Sequence, residues 1–82
     1  MATFMLTCEH PAEVCEALFQ EQQQLGTPDV YKGRDFLCSC PFGEHNGWVV
    51  VEGETGEAIL ASLPPLFRSH AKARQIETMV FT

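Results

Sequence analysis

Residues 38–52 read CSCPFGEHNGWVVVE, and the fold turns on how this stretch reverses direction. Pro41 and Gly43 supply turn chemistry, and Trp48 to Val51 is an aromatic and β-branched run. The segment therefore reads as a hairpin joining a strand over Asp35–Cys40 to one over Trp48–Glu52. A loop of two residues (Phe42, Gly43) or of four (Pro41 to Glu44) gives the same register, with Cys40 directly opposite His45; an odd-length loop breaks the pairing. Opposed residues hold their Cβ atoms roughly 4.5–5.5 Å apart, so a thiolate and an imidazole can share one cation. Cys38 shares the face of Cys40, because side chains alternate along a strand. Three potential soft ligands thus fall in one small region.

Outward from the hairpin, residues 2–10 (ATFMLTCEH) place Phe4, Leu6 and Cys8 on one face and Met5 and Thr7 on the other, which reads as a strand with two dry faces. His10-Pro11 punctuates it. Ala12 to Leu25 carries Val14, Cys15, Leu18, Phe19 and Leu25 against a wet side of Glu13, Glu16, Gln20, Glu21 and Gln23, an amphipathic helix ended by Gly26. The segment 26–35 reads as a polar loop. After the hairpin, Thr55 is the N-cap of a second helix burying Ile59, Leu60 and Leu63, which Pro64-Pro65 terminates. Leu66 and Phe67 anchor a connection, and Lys72–Phe81 reads as the last strand.

This order, β-α-β-β-α-β, is the ferredoxin-like plan: an α+β fold whose four-stranded antiparallel sheet carries two helices on one face. Residues 1–82 form one such domain. The opposite face still carries apolar groups, Met5 and part of the Trp48–Val51 run, and in so short a chain a second copy is the simplest cover. The expectation is a homodimer whose sheets pack face to face.

With 82 residues, 45% of them apolar and 20% charged, the composition is that of an ordinary globular domain. A net charge of −6 with five Lys and Arg leaves no basic patch for nucleic acid and makes cations the natural guests. The first residues lack the basic region of a signal peptide, and no stretch has the roughly 20 apolar residues of a membrane span. The expected location is the cytoplasm, with thiols reduced. Four cysteines otherwise allow three disulfide pairings, and a Cys38–Cys40 bond lies near the limit of disulfide reach.

The candidate ligands are therefore Cys40 and His45, with Cys38 on the same face and with Cys8 and His10 at the end of the first strand, which in this plan neighbours the third. Cysteine and imidazole select borderline and soft transition metals. Structural readings stand beside each: Cys15 on the inner side of the first helix reads as a packed small hydrophobe, Cys8 and Cys38 can equally pack within strands, and His70 reads as a surface residue. No paired C-x-x-C, phosphate-binding loop, serine elbow or carboxylate pair is present.

Taken together, His10-Pro11-Ala12-Glu13-Val14-Cys15, Cys40-x-x-Gly43-Glu44-His45-x-Gly47-Trp48 and Leu63-Pro64-Pro65 with Arg68 resemble a family of small bacterial proteins. These are ferredoxin-like, form dimeric α/β barrels, and include a nickel-binding member. The resemblance implies a homodimer holding nickel through residues that include His10, Cys40 and His45. Where relatives usually show Trp-Gly before the cysteine this chain has Cys38-Ser39, an added thiol that shifts preference toward zinc or copper. The leading expectation is metal sequestration or response. The alternative is a small dimeric-barrel enzyme, oxygenase-like or isomerase-like, acting on an apolar organic ligand in a cavity reached by His10 or Cys40. A third reading is a bare dimerisation module.

Overall fold

A computed structural model describes residues 1–82. The chain runs β1 (Ala2–Glu9), α1 (Ala12–Leu25), β2 (Leu37–Cys38), a 3₁₀ turn (Cys40–Phe42), β3 (Asn46–Gly53), α2 (Gly56–Ala61), α3 (Pro65–Ser69) and β4 (Ala71–Ile76). The strands form one antiparallel sheet in the order β2-β3-β1-β4, an α+β arrangement compatible with the ferredoxin-like plan. β1 is central because it can bury one whole face: Phe4, Leu6 and Cys8 alternate inward and meet Val49 and Val51 of β3. Ile59 of α2, Leu63, and Phe67 of α3 close over that layer, with Leu18 of α1 packed at its margin.

The hairpin has the expected register and a different local structure. Leu37 pairs with Trp48 and Cys38 with Gly47, and continuing that ladder sets Cys40 opposite His45. The strand nevertheless stops at Cys38. Pro41 has no N–H to offer a ladder, and Cys40–Phe42 coil into a 3₁₀ turn closed by Gly43 at φ 103°, a left-handed conformation that glycine adopts without steric cost. Ser39 N–H still bonds the Asn46 carbonyl at 3.0 Å, and the Ser39 hydroxyl donates to the Glu44 carbonyl, so the turn is tied at both sides.

Three further expectations are corrected. Pro64-Pro65 ends one helix and begins another: Pro65 sits in the first turn of α3, where a missing N–H costs nothing. The sheet is therefore backed by three helices. α3 is capped from a distance, for the Glu21 carboxylate of α1 accepts from Leu66 N–H at 2.9 Å and Phe67 N–H at 3.1 Å. The last strand ends at Ile76 rather than Phe81, because Ile76 already pairs with Thr3 near the start of β1, and the residues beyond run past their partner; Met79, Val80 and Phe81 are exposed. Finally, the loop after α1 is not simply polar. Tyr31 is buried, its hydroxyl donates to Gln22 Oε1 at 2.7 Å, and its ring meets those of Phe36 and Phe67 at centroid distances of 5.3 and 5.8 Å.

The second face of the sheet stays open. Met5 and Trp48 are half-buried and Val50, paired with Met5, is exposed. No helix is long and apolar enough to cross a membrane.

Candidate metal centre

The end of β1, the start of α1 and the hairpin turn converge at one corner of the molecule. Glu9 is the last residue of β1, paired with Asn46 at the start of β3, and the next backbone bond runs from His10 N–H to the His45 carbonyl at 3.1 Å. That bond sets the two imidazoles side by side, with ring centroids 5.6 Å apart and planes inclined at 65°. Pro11 then turns the chain directly into α1, whose first turn delivers Cys15 to the same corner, and the 3₁₀ turn brings in Cys40. One donor atom from each of His10, Cys15, Cys40 and His45 lies within 4.8 Å of the other three.

Three features of the group fit a metal ion. Cys40 Sγ stands 3.6 Å from His10 Nε2. A tetrahedral ion with bonds of about 2.3 Å to sulfur and about 2.0–2.1 Å to nitrogen holds such a pair roughly 3.6 Å apart. Adjacent ligands of a square-planar ion with the same bonds would be roughly 3.1 Å apart. Second, His45 Nδ1 is buried without a hydrogen-bond partner, a nitrogen whose bonding capacity the protein leaves unanswered. The donor set also balances charge: a divalent cation, two thiolates and two neutral imidazoles sum to zero, which keeps the cost of partial burial low.

The electrostatics of the metal-free corner favour the neutral forms of Cys40 and His10. Burial, followed by a hydrogen bond that the Cys40 S–H donates to Cys15, pushes the Cys40 thiol up to about 11. Burial also lowers the His10 imidazole below its ordinary 6.5, with His45 adding repulsion, so His10 offers a lone pair at neutral pH. Its other nitrogen, Nδ1, lies 3.6 Å from Cys8 Sγ. Cys8 is buried, and burial first, then the neighbouring thiols, raises it to about 11. In this geometry Cys8 orients the His10 ring, as partners of ligating histidines commonly do, and stands outside the group of four.

Of the residues singled out from the sequence, His10, Cys40 and His45 are brought together, Cys8 touches the group through His10, and Cys38 is exposed and not a member. Cys15, read as a packed hydrophobe, is the member that was missed. Its place on the inner face of α1 was legible in the helical period; that this face meets the hairpin turn at its first turn was not. All four cysteines are free thiols.

Comparisons with protein-family models, with curated proteins and with solved structures found no match to this chain.

Proposed function

We propose that this chain is a small metal-binding protein that holds one transition-metal ion between His10, Cys15, Cys40 and His45. The observation that carries the reading is convergence: four nitrogen and sulfur donors from three separate segments lie within 4.8 Å of one another. A donor set of two thiolates and two imidazoles suits a tetrahedral ion, zinc before nickel. Nickel remains the ion implied by the resemblance through Cys40-x-x-Gly43-x-His45, and kinship with that family belongs to the same proposal. A closed set of four protein donors suits storage or response better than catalysis, which needs an open coordination position.

The same proposal includes a cytoplasmic homodimer. Met5, Trp48 and Val50 form an apolar stripe on the open face of the sheet, bordered by Lys72 and Arg74 on β4 and by Glu52 on β3. Two copies related by a twofold axis would pair that stripe with itself. Sedimentation should give twice the chain mass for the native protein and the single mass for Val50→Lys.

The test of the metal reading is elemental analysis of protein purified without an affinity tag, followed by titration with Zn²⁺ and Ni²⁺. One ion per chain is expected, with uptake lost in the Cys40→Ala, His45→Ala double variant. Unchanged uptake in that variant would refute the assignment.

A further inference from the structure

A cleft of about 410 Å³ opens between α1 and the sheet, with His10, Cys15 and Cys40 of the Cys/His corner forming one of its walls. Its existence follows from the way α1 is held: no residue of this 14-residue helix is buried. Phe19 is 63% exposed although it lies on the inner side of the amphipathic pattern. The helix is propped away from β1 and β3, and the gap is walled by Leu18 and Phe19 on one side and by Tyr31, Phe36 and Phe67 on the other.

The chemistry of the lining selects an occupant. No aspartate, glutamate, lysine or arginine lines the cleft; its ionisable lining besides Tyr31 is His10 with Cys8, Cys15, Cys38 and Cys40 at and beside the metal corner, which gives a charged organic molecule no carboxylate, ammonium or guanidinium to pair with. The rings of Tyr31, Phe36 and Phe67 are mutually tilted by 54–71° at centroid separations of 5.3–6.3 Å, so they present both faces and edges to the gap. Two amides, Gln22 and Asn46, are the side-chain amides among the lining residues. Gln22 Oε1 is engaged by the Tyr31 hydroxyl, which leaves its NH₂ to donate. The volume falls within the range of roughly 300–1,000 Å³ usual for small-molecule sites.

We propose that this cleft binds a small uncharged aromatic molecule bearing a single hydrogen-bonding group, its ring between α1 and the Tyr31–Phe36–Phe67 cluster and its polar atom at Gln22 or Asn46. The site goes beyond metal binding: it shares His10, Cys15 and Cys40 with the metal corner at one wall, while the ring-binding end at Phe19, Tyr31, Phe36 and Phe67 uses none of the four donors. Phe19 is the wall residue whose exposure the ligand relieves, and its removal costs the free protein little because it packs on little.

The test is a titration of the full chain with 1-naphthol, followed by amide chemical shifts in reducing buffer containing EDTA, so that the outcome is independent of whether the metal reading stands. Saturable shifts are expected along residues 15–22 and at Tyr31, Phe36 and Phe67. Phe19→Ser should weaken binding about fivefold, the loss of one aromatic contact, while Met79→Ser, at an exposed position outside the cleft, leaves it unchanged. The absence of saturable shifts, shifts centred on Met5, Trp48 and Val50, or a Phe19→Ser affinity within about twofold of the native value would each overturn the proposal. Concentration-dependent shifts at the cleft without the probe would also overturn it, since a second copy would then be the occupant.

Discussion

Replacing Cys15 by serine tests the metal centre at the member least expected from sequence. The hydroxyl is nearly isosteric but does not ionise near neutral pH, so one of four donors is lost while the first turn of α1 keeps its shape. A four-ligand structural zinc site is worth about 10–16 kcal/mol, which divides to about 2.5–4 kcal/mol per ligand. At about 1.4 kcal/mol per decade, Cys15→Ser should weaken zinc binding by about 10²–10³ fold, measured by competition with a chromophoric chelator at fixed pH. Cys38→Ser, which alters an exposed thiol outside the group, should change it by less than about threefold. A second readout separates ligation from general damage. Cys15 is the one member carried by α1, and no residue of that helix is buried, so a metal bound through Cys15 tethers the helix to the hairpin turn. Amide exchange of residues 16–25 should slow when metal is added to the native protein and stay unchanged in Cys15→Ser. Native-like affinity in the variant, with α1 still protected by metal, would show that the ion is held without Cys15 and refute the four-residue geometry.

Three other outcomes follow from the same structure. Because the Cys40 thiol stands at about 11 before metal binds, its proton must be expelled, and zinc affinity should rise by about one decade per pH unit from Cys40 alone between about pH 6 and 9; a flat profile in a competition assay would exclude Cys40 as a ligand. Glu21→Ala removes the acceptor for Leu66 and Phe67 N–H and should cost about 2 kcal/mol in urea unfolding, whereas an unchanged midpoint would mean that α3 is capped by water as well as by Glu21. A methyl added at Gly47 would lie 2.6 Å from Phe36 Cε1, so Gly47→Ala should displace that ring, lower stability by about 1–3 kcal/mol and weaken the near-ultraviolet circular dichroism of the Tyr31–Phe36–Phe67 cluster.

The thiols also predict an alkaline limit to stability. Cys8 is raised from 9.0 to about 11 in the folded chain, so the folded state favours its neutral form. That contribution is fully present below about pH 9 and is lost as pH rises toward 11. Thermal unfolding followed from pH 8 to 11 should show a decline that is shallower in Cys8→Ala, even if that variant begins from a lower midpoint.

Local pattern was enough for the elements whose stabilisation is local. The alternation of Phe4, Leu6 and Cys8 defined β1 and its buried face, the 3.6-residue period defined α1 over the bounds it has, and Thr55 proved to cap α2, its Oγ1 accepting from Ala58 N–H at 3.0 Å. The hairpin register was also legible, because side-chain alternation and turn length constrain it without reference to the rest of the chain. Tertiary structure decided where those elements stop and what they meet. β4 ends within one residue of the end of its partner, although Met79-Val80-Phe81 has every local reason to continue; α3 is capped by Glu21, 45 residues upstream of Leu66, which answers its first N–H groups. The metal corner divides in the same way. His45 and Cys40 were legible because one turn joins them, while Cys15 depended on the direction in which α1 leaves Pro11, which is set by packing against residues distant in the chain and has no signature within the helix itself.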